Sequence, residues 1–266
     1  MTTVSFPGLG WELEMNRVAF TVPGLGIQVH WYGLIITFGM VLAYLYLSRR
    51  EKKQGRNPDD IIDVALYALP CAIIGARAYY VFFRWESYRG EPLDAFKIWE
   101  GGLAIYGGII GALLAALIYC LIKKHPFLRY ADMAAFGLLI GQSIGRWGNF
   151  VNGEAYGGPC TMPWRMVVSG EAYPVHPTFL YESLWNLCLF LILHFVEKKK
   201  RRKQGFFFCL YLMGYGLGRV WIEALRSDSL YLAGSAVKVS QLVALLSIVM
   251  GAVGLWLLSK KTKKLS

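Results

Sequence analysis

The sequence lacks the cysteine pattern of a disulfide-bonded or zinc-binding domain. It has five cysteines in 266 residues, and no two are spaced as Cys-x-x-Cys, which argues against both a disulfide framework and a zinc site. A free cysteine in an apolar segment behaves as a small hydrophobic residue. We therefore expect neither a metal nor a cofactor. Residues 1–26 also lack the basic start, short apolar core and cleavage site of a secretory signal.

Charged residues are scarce as well. They make up 17% of the chain, whereas hydrophobic residues make up 56%, more than is usual in soluble domains. The apolar residues form seven stretches, each roughly the 20 residues that cross a hydrocarbon core. These stretches lie at about 27–48, 61–83, 102–122, 132–150, 177–196, 206–225 and 238–258. Because the alternation of barrel strands is absent, we predict an all-α polytopic membrane protein with seven transmembrane helices.

The net charge of +11 would suit a nucleic-acid-binding protein, but its distribution indicates a membrane topology. Basic residues cluster after alternate apolar stretches, at 49–56, 123–129, 198–203 and 260–264. Such clusters stay in the cytoplasm, so we predict an N-terminus outside and a C-terminus in the cytoplasm. We expect the clusters to contact anionic membrane lipid and expect no nucleic-acid partner.

The same topology divides the chain into an outer arm, a membrane domain and a tail. Residues 1–26 contain two Pro-Gly-Leu-Gly copies, which predict turns and an amphipathic arm lying at the outer interface. The seven-helix catalytic domain is predicted over 27–259, and a basic cytoplasmic tail over 260–266. Within the domain, the outer loop 152–176 is long enough to act as a lid or a docking surface.

Polar side chains gather near the outer ends of the predicted spans. At 1.5 Å per helical residue they all lie within roughly 10–15 Å of the outer surface. They are Tyr32, Arg77, Tyr106, Arg146, Asn149, His176, Tyr181, Tyr215, Arg219 and Glu223. A transporter would more often place polar groups at the midplane, so the pattern predicts a cavity that opens outward.

Two arginines in this outer layer have two possible interpretations. Arg219 lies four residues after Tyr215 and four residues before Glu223. The three side chains therefore share one helical face. A structural Arg–Glu pair is one interpretation. The other is a phosphate site that includes Arg146, because arginine binds phosphate through two parallel hydrogen bonds and stays charged in a low dielectric.

The most informative motif is Gly145-Arg146-Trp147-Gly148-Asn149-Phe150-Val151-Asn152-Gly153-Glu154, followed by Gly157. It resembles the signature of prolipoprotein diacylglyceryl transferases. Further matching segments occur in family order along most of the chain, at 31–34, 75–77, 101–103, 176–182 and 215–219, followed by Glu223.

The resemblance implies a specific reaction at the outer face of the bacterial inner membrane. Such enzymes transfer the diacylglyceryl group of phosphatidylglycerol to the lipobox cysteine of a preprolipoprotein. A thioether forms and glycerol-1-phosphate leaves. The family's essential residues carry over onto Tyr32, Arg146, Asn149, Glu154, Gly157, Tyr215, Arg219 and Glu223.

From these positions we assign candidate roles. The catalytic candidates are Arg146, Arg219, Glu154, Glu223 and Tyr106. The substrate-binding candidates are Tyr32, Arg77, Asn149, Asn152, Gly157, His176 and Tyr215. Glu154 or Glu223 could accept the thiol proton, or both could only hold the arginines; His176 is a weaker candidate base.

One position departs from the family. Many members have histidine where this chain has Tyr106, and tyrosine, with a reference pKa near 10, is a poorer base at neutral pH. The identity of the general base therefore stays open. The rival functional class is a seven-span membrane carrier or receptor for an anionic lipid or a phosphorylated ligand, which would bind or move its ligand without making a thioether.

Overall fold

The computed structural model describes residues 2–24, 26–199, 202–232, 235 and 237–263. Leu25 of the second Pro-Gly-Leu-Gly copy, Lys200 and Arg201 of one basic cluster, and residues 264–266 of the predicted tail lie outside these residues. The described part of the chain contains seven α-helices. They are α1 (Trp31–Lys53), α2 (Asp59–Phe83), α3 (Ile105–Ile122), α4 (Phe127–Asn152), α5 (Thr178–Lys199), α6 (Phe206–Leu225) and α7 (Val239–Lys263).

The helices lie where the seven apolar stretches predict them, and the chain is a multi-pass membrane protein. Five of the described helices, α1, α2, α3, α5 and α7, are long and apolar enough to cross a membrane. The other two helices carry four polar residues of the outer layer, Arg146 and Asn149 on α4 and Arg219 and Glu223 on α6.

The prediction of an all-α fold is wrong for the N-terminal segment, which forms strands. The five described strands are β1 (Thr2–Phe6), β2 (Trp11–Met15), β3 (Val18–Thr21), β4 (Gln28–His30) and β5 (Val167–Val168). Antiparallel pairing joins β2, β1 and β5 into one sheet and β3 with β4 into another. Val4 and Phe6 alternate with Thr3 and Ser5, a period of two that favours a strand.

The three-stranded sheet is anchored to the ends of two helices by an apolar cluster. Val4 and Phe6 of β1 are buried against Phe150 of α4 and Phe179 of α5. The Phe150 and Phe179 rings are stacked, with centroids 4.5 Å apart. Because β5 belongs to the long loop 152–176, the same cluster fixes one side of that loop.

The chain divides into two compact units. The first comprises Met1–Tyr46 and Ala131–Ser266, and the second comprises Leu47–Tyr130. In the second unit, α2 and α3 touch through glycine. A Cβ built on Gly75 would lie 2.4 Å from the Gly107 carbonyl oxygen, and one built on Gly107 would lie 2.3 Å from that of Gly75. Any larger residue would push these helices apart.

In the first unit, a buried carboxylate from α4 caps the N-terminal end of α6. The Asp132 oxygens accept hydrogen bonds from the backbone N–H groups of Gly205 and Phe208, each at 2.8 Å. These donors have no partner within the helix itself. Asp132 therefore fixes the start of the helix that carries Arg219.

Candidate active site

Two arginines from different helices meet on one buried carboxylate in the first unit. Arg146 of α4 donates from Nη2 to Oε1 of Glu182 at 2.6 Å. Arg219 of α6 donates from Nη1 to Oε2 of the same glutamate at 2.9 Å. The Glu182 side chain is 3% exposed, whereas those of Arg146 and Arg219 are 21% and 16% exposed. The carboxylate thus holds the two guanidinium groups side by side while each stays partly accessible.

The pair continues on both sides into a chain of polar contacts. Arg219 forms an ion pair with Glu223 one turn along α6, with Nη2 2.7 Å from Oε2. On the other side, Arg146 donates from Nη1 to Oδ1 of Asn149 at 3.1 Å. Asn149 in turn donates to Glu154 at 3.0 Å.

Direct bonds between helices hold this arrangement in place. Ser143 of α4 and Ser183 of α5 each donate a hydroxyl to the other's carbonyl, at 2.9 and 2.8 Å. Trp185 of α5 donates from Nε1 to the Gly214 carbonyl of α6 at 2.8 Å. A Cβ on Gly218 would lie only 2.2 Å from that indole nitrogen. Three helices are thereby fixed next to the residues that carry charge.

The charged cluster formed by these two arginines and two glutamates is balanced in charge, and its arginines retain hydrogen-bonding capacity. Arg146 and Arg219 face Glu182 and Glu223, which satisfies the need of buried charges for partners in an apolar setting. A guanidinium has five N–H donors, and the contacts above engage two on each arginine. The remaining donors, on partly exposed side chains, suit an anionic ligand with several oxygens.

A cavity of about 370 Å³ lies beside Glu154. It is lined by Gly153, Glu154, Ala155, Tyr156, Glu171, Ser227 and Asp228. Asn152 also donates to Glu154, at 3.2 Å. Because Asn149 links Glu154 to Arg146, the cavity wall is connected to the arginine pair.

Two further contacts shape the cavity wall. Tyr156 donates its hydroxyl to Glu171, and this bond, with burial, raises the pKa of Tyr156 to about 12. Arg226 donates to both oxygens of Asp228, at 2.9 and 2.7 Å. Burial alone would raise the pKa of Asp228, but the bonds and charge of Arg226 lower it below its ordinary value. Asp228 is therefore ionised at neutral pH.

The loop 152–176 is tied to the helices by backbone bonds. Gly158 donates to the Leu225 carbonyl at 2.8 Å, and Gly157 donates to the His176 carbonyl at 2.9 Å. A Cβ on Gly157 would lie 2.7 Å from that of His176 and 2.8 Å from the Leu225 oxygen. Gly157 therefore has a packing reason to be glycine, and its predicted role in substrate binding stays a prediction.

His176 is engaged through its ring. Its Nδ1 lies 3.3 Å from the hydroxyl oxygen of Tyr181, and that oxygen accepts from Nε1 of Trp164 at 2.7 Å. Burial lowers the pKa of His176, so the ring is neutral at pH 7. The Tyr181 hydroxyl donates to Nδ1 in the tautomer that carries the ring proton on Nε2, and it accepts from Nδ1 in the other.

Two predicted tyrosines lie against the site helices. The ring of Tyr32 on α1 packs on Gly148 of α4, where a Cβ would lie 2.7 Å from the ring. The ring of Tyr215 is stacked on that of Tyr211, with centroids 5.6 Å apart. Tyr211 accepts a hydrogen bond from Gln142 at 3.0 Å. The Tyr32 ring thus packs on the helix that carries Arg146, and Tyr215 lies one turn before Arg219 on α6. Their roles in substrate binding stay predictions.

The remaining two predicted residues, Arg77 and Tyr106, belong to the second unit. Tyr106 is half-buried near the start of α3. Arg77 donates to four backbone carbonyls at 2.6–3.2 Å, those of Asp94, Ala95, Gly101 and Gly102. These contacts give Arg77 a structural role in holding the segment before α3. Its role in substrate binding stays a prediction.

Sequence reasoning missed Glu182, which links the two arginines. The residue belongs to the segment 176–182 that resembles the family, but it is not among the candidate site residues. A carboxylate within an apolar span is costly unless paired, and this signal alone marks Glu182 as a partner for a buried cation. Its spacing from either arginine in sequence does not show which one it would meet.

A buried amide next to this cluster provides a test of stability. Asn186 of α5 is fully buried, and neither its side-chain nitrogen nor its oxygen has a hydrogen-bond partner among the described residues. Such a group costs about 1–3 kcal/mol. We therefore expect Asn186→Leu to raise the thermal midpoint of the detergent-solubilised protein, by about 2–4 °C per kcal/mol recovered.

The matched control is Asn57→Leu. Asn57 accepts a hydrogen bond from the backbone N–H of Asp59 at the start of α2, at 3.0 Å. Removing this bond should lower the midpoint. A fall for Asn186→Leu comparable to that of Asn57→Leu would show that the buried amide stabilises the fold.

Comparison with known proteins gives a consistent result. The family model described as prolipoprotein diacylglyceryl transferase matches residues 17–257. The chain is similar to phosphatidylglycerol–prolipoprotein diacylglyceryl transferases from three bacteria. It is 43% identical to that of Finegoldia magna, covering 90% of this chain and 94% of the relative. It is 42% identical to that of Clostridioides difficile, covering 94% and 98%, and 44% identical to that of Lysinibacillus sphaericus, covering 90% of each.

Proposed function

This chain belongs to the prolipoprotein diacylglyceryl transferase family, and we infer that it transfers a diacylglyceryl group from phosphatidylglycerol to a prolipoprotein. The acceptor is the thiol of the lipobox cysteine, the product is a thioether, and glycerol-1-phosphate is released. The observation that carries the proposal is the pair of partly exposed arginines held on one carboxylate. An anionic lipid head is a ligand that such a pair can bind.

In the proposed reaction the sulfur attacks a glyceryl carbon. The new S–C bond forms as the bond from that carbon to the phosphate oxygen breaks, so negative charge grows on the departing phosphate. Arg146 and Arg219 stabilise this charge. Loss of one preorganised donor of this kind typically costs about 3–4 kcal/mol. Asn149 and Tyr32 orient the headgroup by hydrogen bonds.

We propose Glu154 as the acceptor of the thiol proton. The residue is exposed at the cavity wall and accepts hydrogen bonds from two neutral amides. Glu223, in contrast, is 2% exposed and paired with Arg219, and a nearby positive charge favours the ionised carboxylate. The Nδ1 of His176 is engaged with Tyr181.

The finer topology is also a proposal. We propose seven spans in the bacterial cytoplasmic membrane, with the N-terminus outside, the C-terminus in the cytoplasm and the arginine pair toward the outer face. The basic clusters in the sequence support this orientation. We propose that the β1–β2 hairpin lies at the outer interface, because Leu9, Trp11 and Leu13 are exposed, and that the loop 152–176 covers the substrate.

The decisive experiment uses purified protein, phosphatidylglycerol and a synthetic lipobox peptide. Mass spectrometry should show the peptide gaining one diacylglyceryl group, and a peptide with serine in place of the cysteine should gain nothing. Binding or flux of the lipid without this mass gain would support the carrier or receptor and reject the transferase.

The departure at Tyr106 gives a separate prediction. If its hydroxyl donates to the headgroup or the nucleophile, Tyr106→Phe should slow the transfer about tenfold, the equivalent of ~1.4 kcal/mol. Tyr106→His introduces the side chain found in many family members and should remain active. An unchanged initial rate for Tyr106→Phe would show that this hydroxyl is not used.

A further inference from the structure

A buried cation lies at the C-terminal end of α6. Lys238, directly before α7, is 9% exposed. Its ammonium donates to the carbonyl oxygens of Glu223 and Arg226, each at 2.7 Å. The Ala224 carbonyl oxygen lies further away, at 3.5 Å. The three N–H donors of a lysine are thus directed at the last turn of α6.

This contact has a clear physical basis. The last carbonyls of a helix lack partners within it and carry a partial negative charge, which a cation stabilises. Lys238 is held there by its own backbone, which pairs with Tyr231. The Tyr231 ring also lies 5.9 Å from the ammonium. Three residues along, Gln241 of α7 donates to the Val220 carbonyl of α6 at 3.1 Å, so α7 supports α6 at two points.

The end of α6, which Lys238 contacts, carries two residues connected to the candidate site. Glu223, whose carbonyl accepts from Lys238, pairs through its side chain with Arg219. Arg226, whose carbonyl also accepts from Lys238, holds Asp228 at the cavity wall. Lys238 therefore contacts the backbone of both residues that connect the arginine pair and the cavity to the end of α6.

We propose that Lys238 is a positioning residue for diacylglyceryl transfer, acting through the last turn of α6. Lys238 keeps Arg219 paired with Glu182, and it keeps Asp228 in place at the cavity wall. It does so without touching the substrate. The proposal rests on the proposed function and extends it to a residue outside the motifs that resemble the family.

The test compares Lys238→Met with Lys238→Arg, using purified protein in nanodiscs, phosphatidylglycerol and the lipobox peptide. Methionine fills similar space without a charge, whereas arginine restores a cation that can donate to carbonyls. We expect Lys238→Met to lower kcat about 10- to 100-fold, as misplacement of a catalytic group does. The KM for phosphatidylglycerol should stay within about twofold, and Lys238→Arg should recover most of the lost kcat.

The matched control is Lys203→Met. Lys203 also donates to a carbonyl near the C-terminal end of a helix, that of Leu258 on α7, at 2.8 Å. We expect this variant to keep the wild-type kcat. The proposal is overturned if Lys238→Met keeps its kcat, if arginine fails to restore it, or if both methionine variants lose activity and thermal midpoint in parallel. Absence of thioether product from the wild-type protein would instead reject the proposed function, and this proposal with it.

Discussion

Replacement of Arg146 or Arg219 by alanine is expected to abolish diacylglyceryl transfer while the protein still accumulates in the membrane. Each guanidinium is partly exposed and held by Glu182, so each can stabilise charge on the departing phosphate. Removal of one such donor typically lowers kcat about 10²- to 10³-fold. Lysine at either position should also fail, because it keeps the charge but loses the planar pair of donors.

The measurement is the initial rate of thioether formation, with membrane content determined on the same preparations. Arg89→Ala is the matched control, because Arg89 is exposed and pairs with Glu86 at 2.8 Å. It should behave as the wild type. Normal turnover by Arg146→Ala or Arg219→Ala would remove the basis for the proposed phosphate contact.

Replacement of Glu182 by glutamine should separate catalysis from lipid binding. The carboxylate accepts one hydrogen bond from each arginine, at 2.6 and 2.9 Å. Glutamine has one oxygen and one N–H₂ group. Its oxygen can accept a hydrogen bond from one arginine, but its N–H₂ group then faces the N–H donors of the other, and two donors cannot bond. We expect kcat to fall about 100-fold, as for a misplaced catalytic group. The KM for phosphatidylglycerol should not rise, because the variant leaves the arginine cluster more positive.

Steady-state kinetics over a range of phosphatidylglycerol concentrations would measure both parameters. Glu197→Gln, at the other end of α5, is the control for the loss of a carboxylate from this helix and should keep the wild-type values. An unchanged kcat for Glu182→Gln would mean that the bridge is dispensable, and the arginines would then reach their working positions by other contacts.

The contacts of Arg219 bear on both interpretations of the two arginines, the structural Arg–Glu pair and the phosphate site. The spacing of Arg219 and Glu223 on one helical face predicts their pairing, and the structure contains it. The link between Arg146 and Arg219 through Glu182 joins three helices, and no spacing along the chain encodes it. The structural interpretation is therefore compatible with the proposed phosphate site, since the glutamates hold arginines that remain partly exposed.

The helices were predictable because a membrane span needs about 20 consecutive apolar residues, a requirement visible in any sequence. The predicted stretch 206–225 coincides with α6. The strands were not predicted, although Val4 and Phe6 alternate with polar residues. Their apolar side chains are buried only because Phe150, Val168 and Phe179, distant in the chain, provide a surface.

Sequence by itself determined the membrane class, the places of the helices and the family, because apolar run length and contiguous motifs are local properties of the chain. Tertiary structure alone decided that Glu182 joins Arg146 to Arg219, that Arg77 binds backbone carbonyls, and that Lys238 supports the end of α6. Each of these contacts joins residues that are distant along the chain or lie on different elements. Their energies depend on distance and burial, which exist only once the helices have packed.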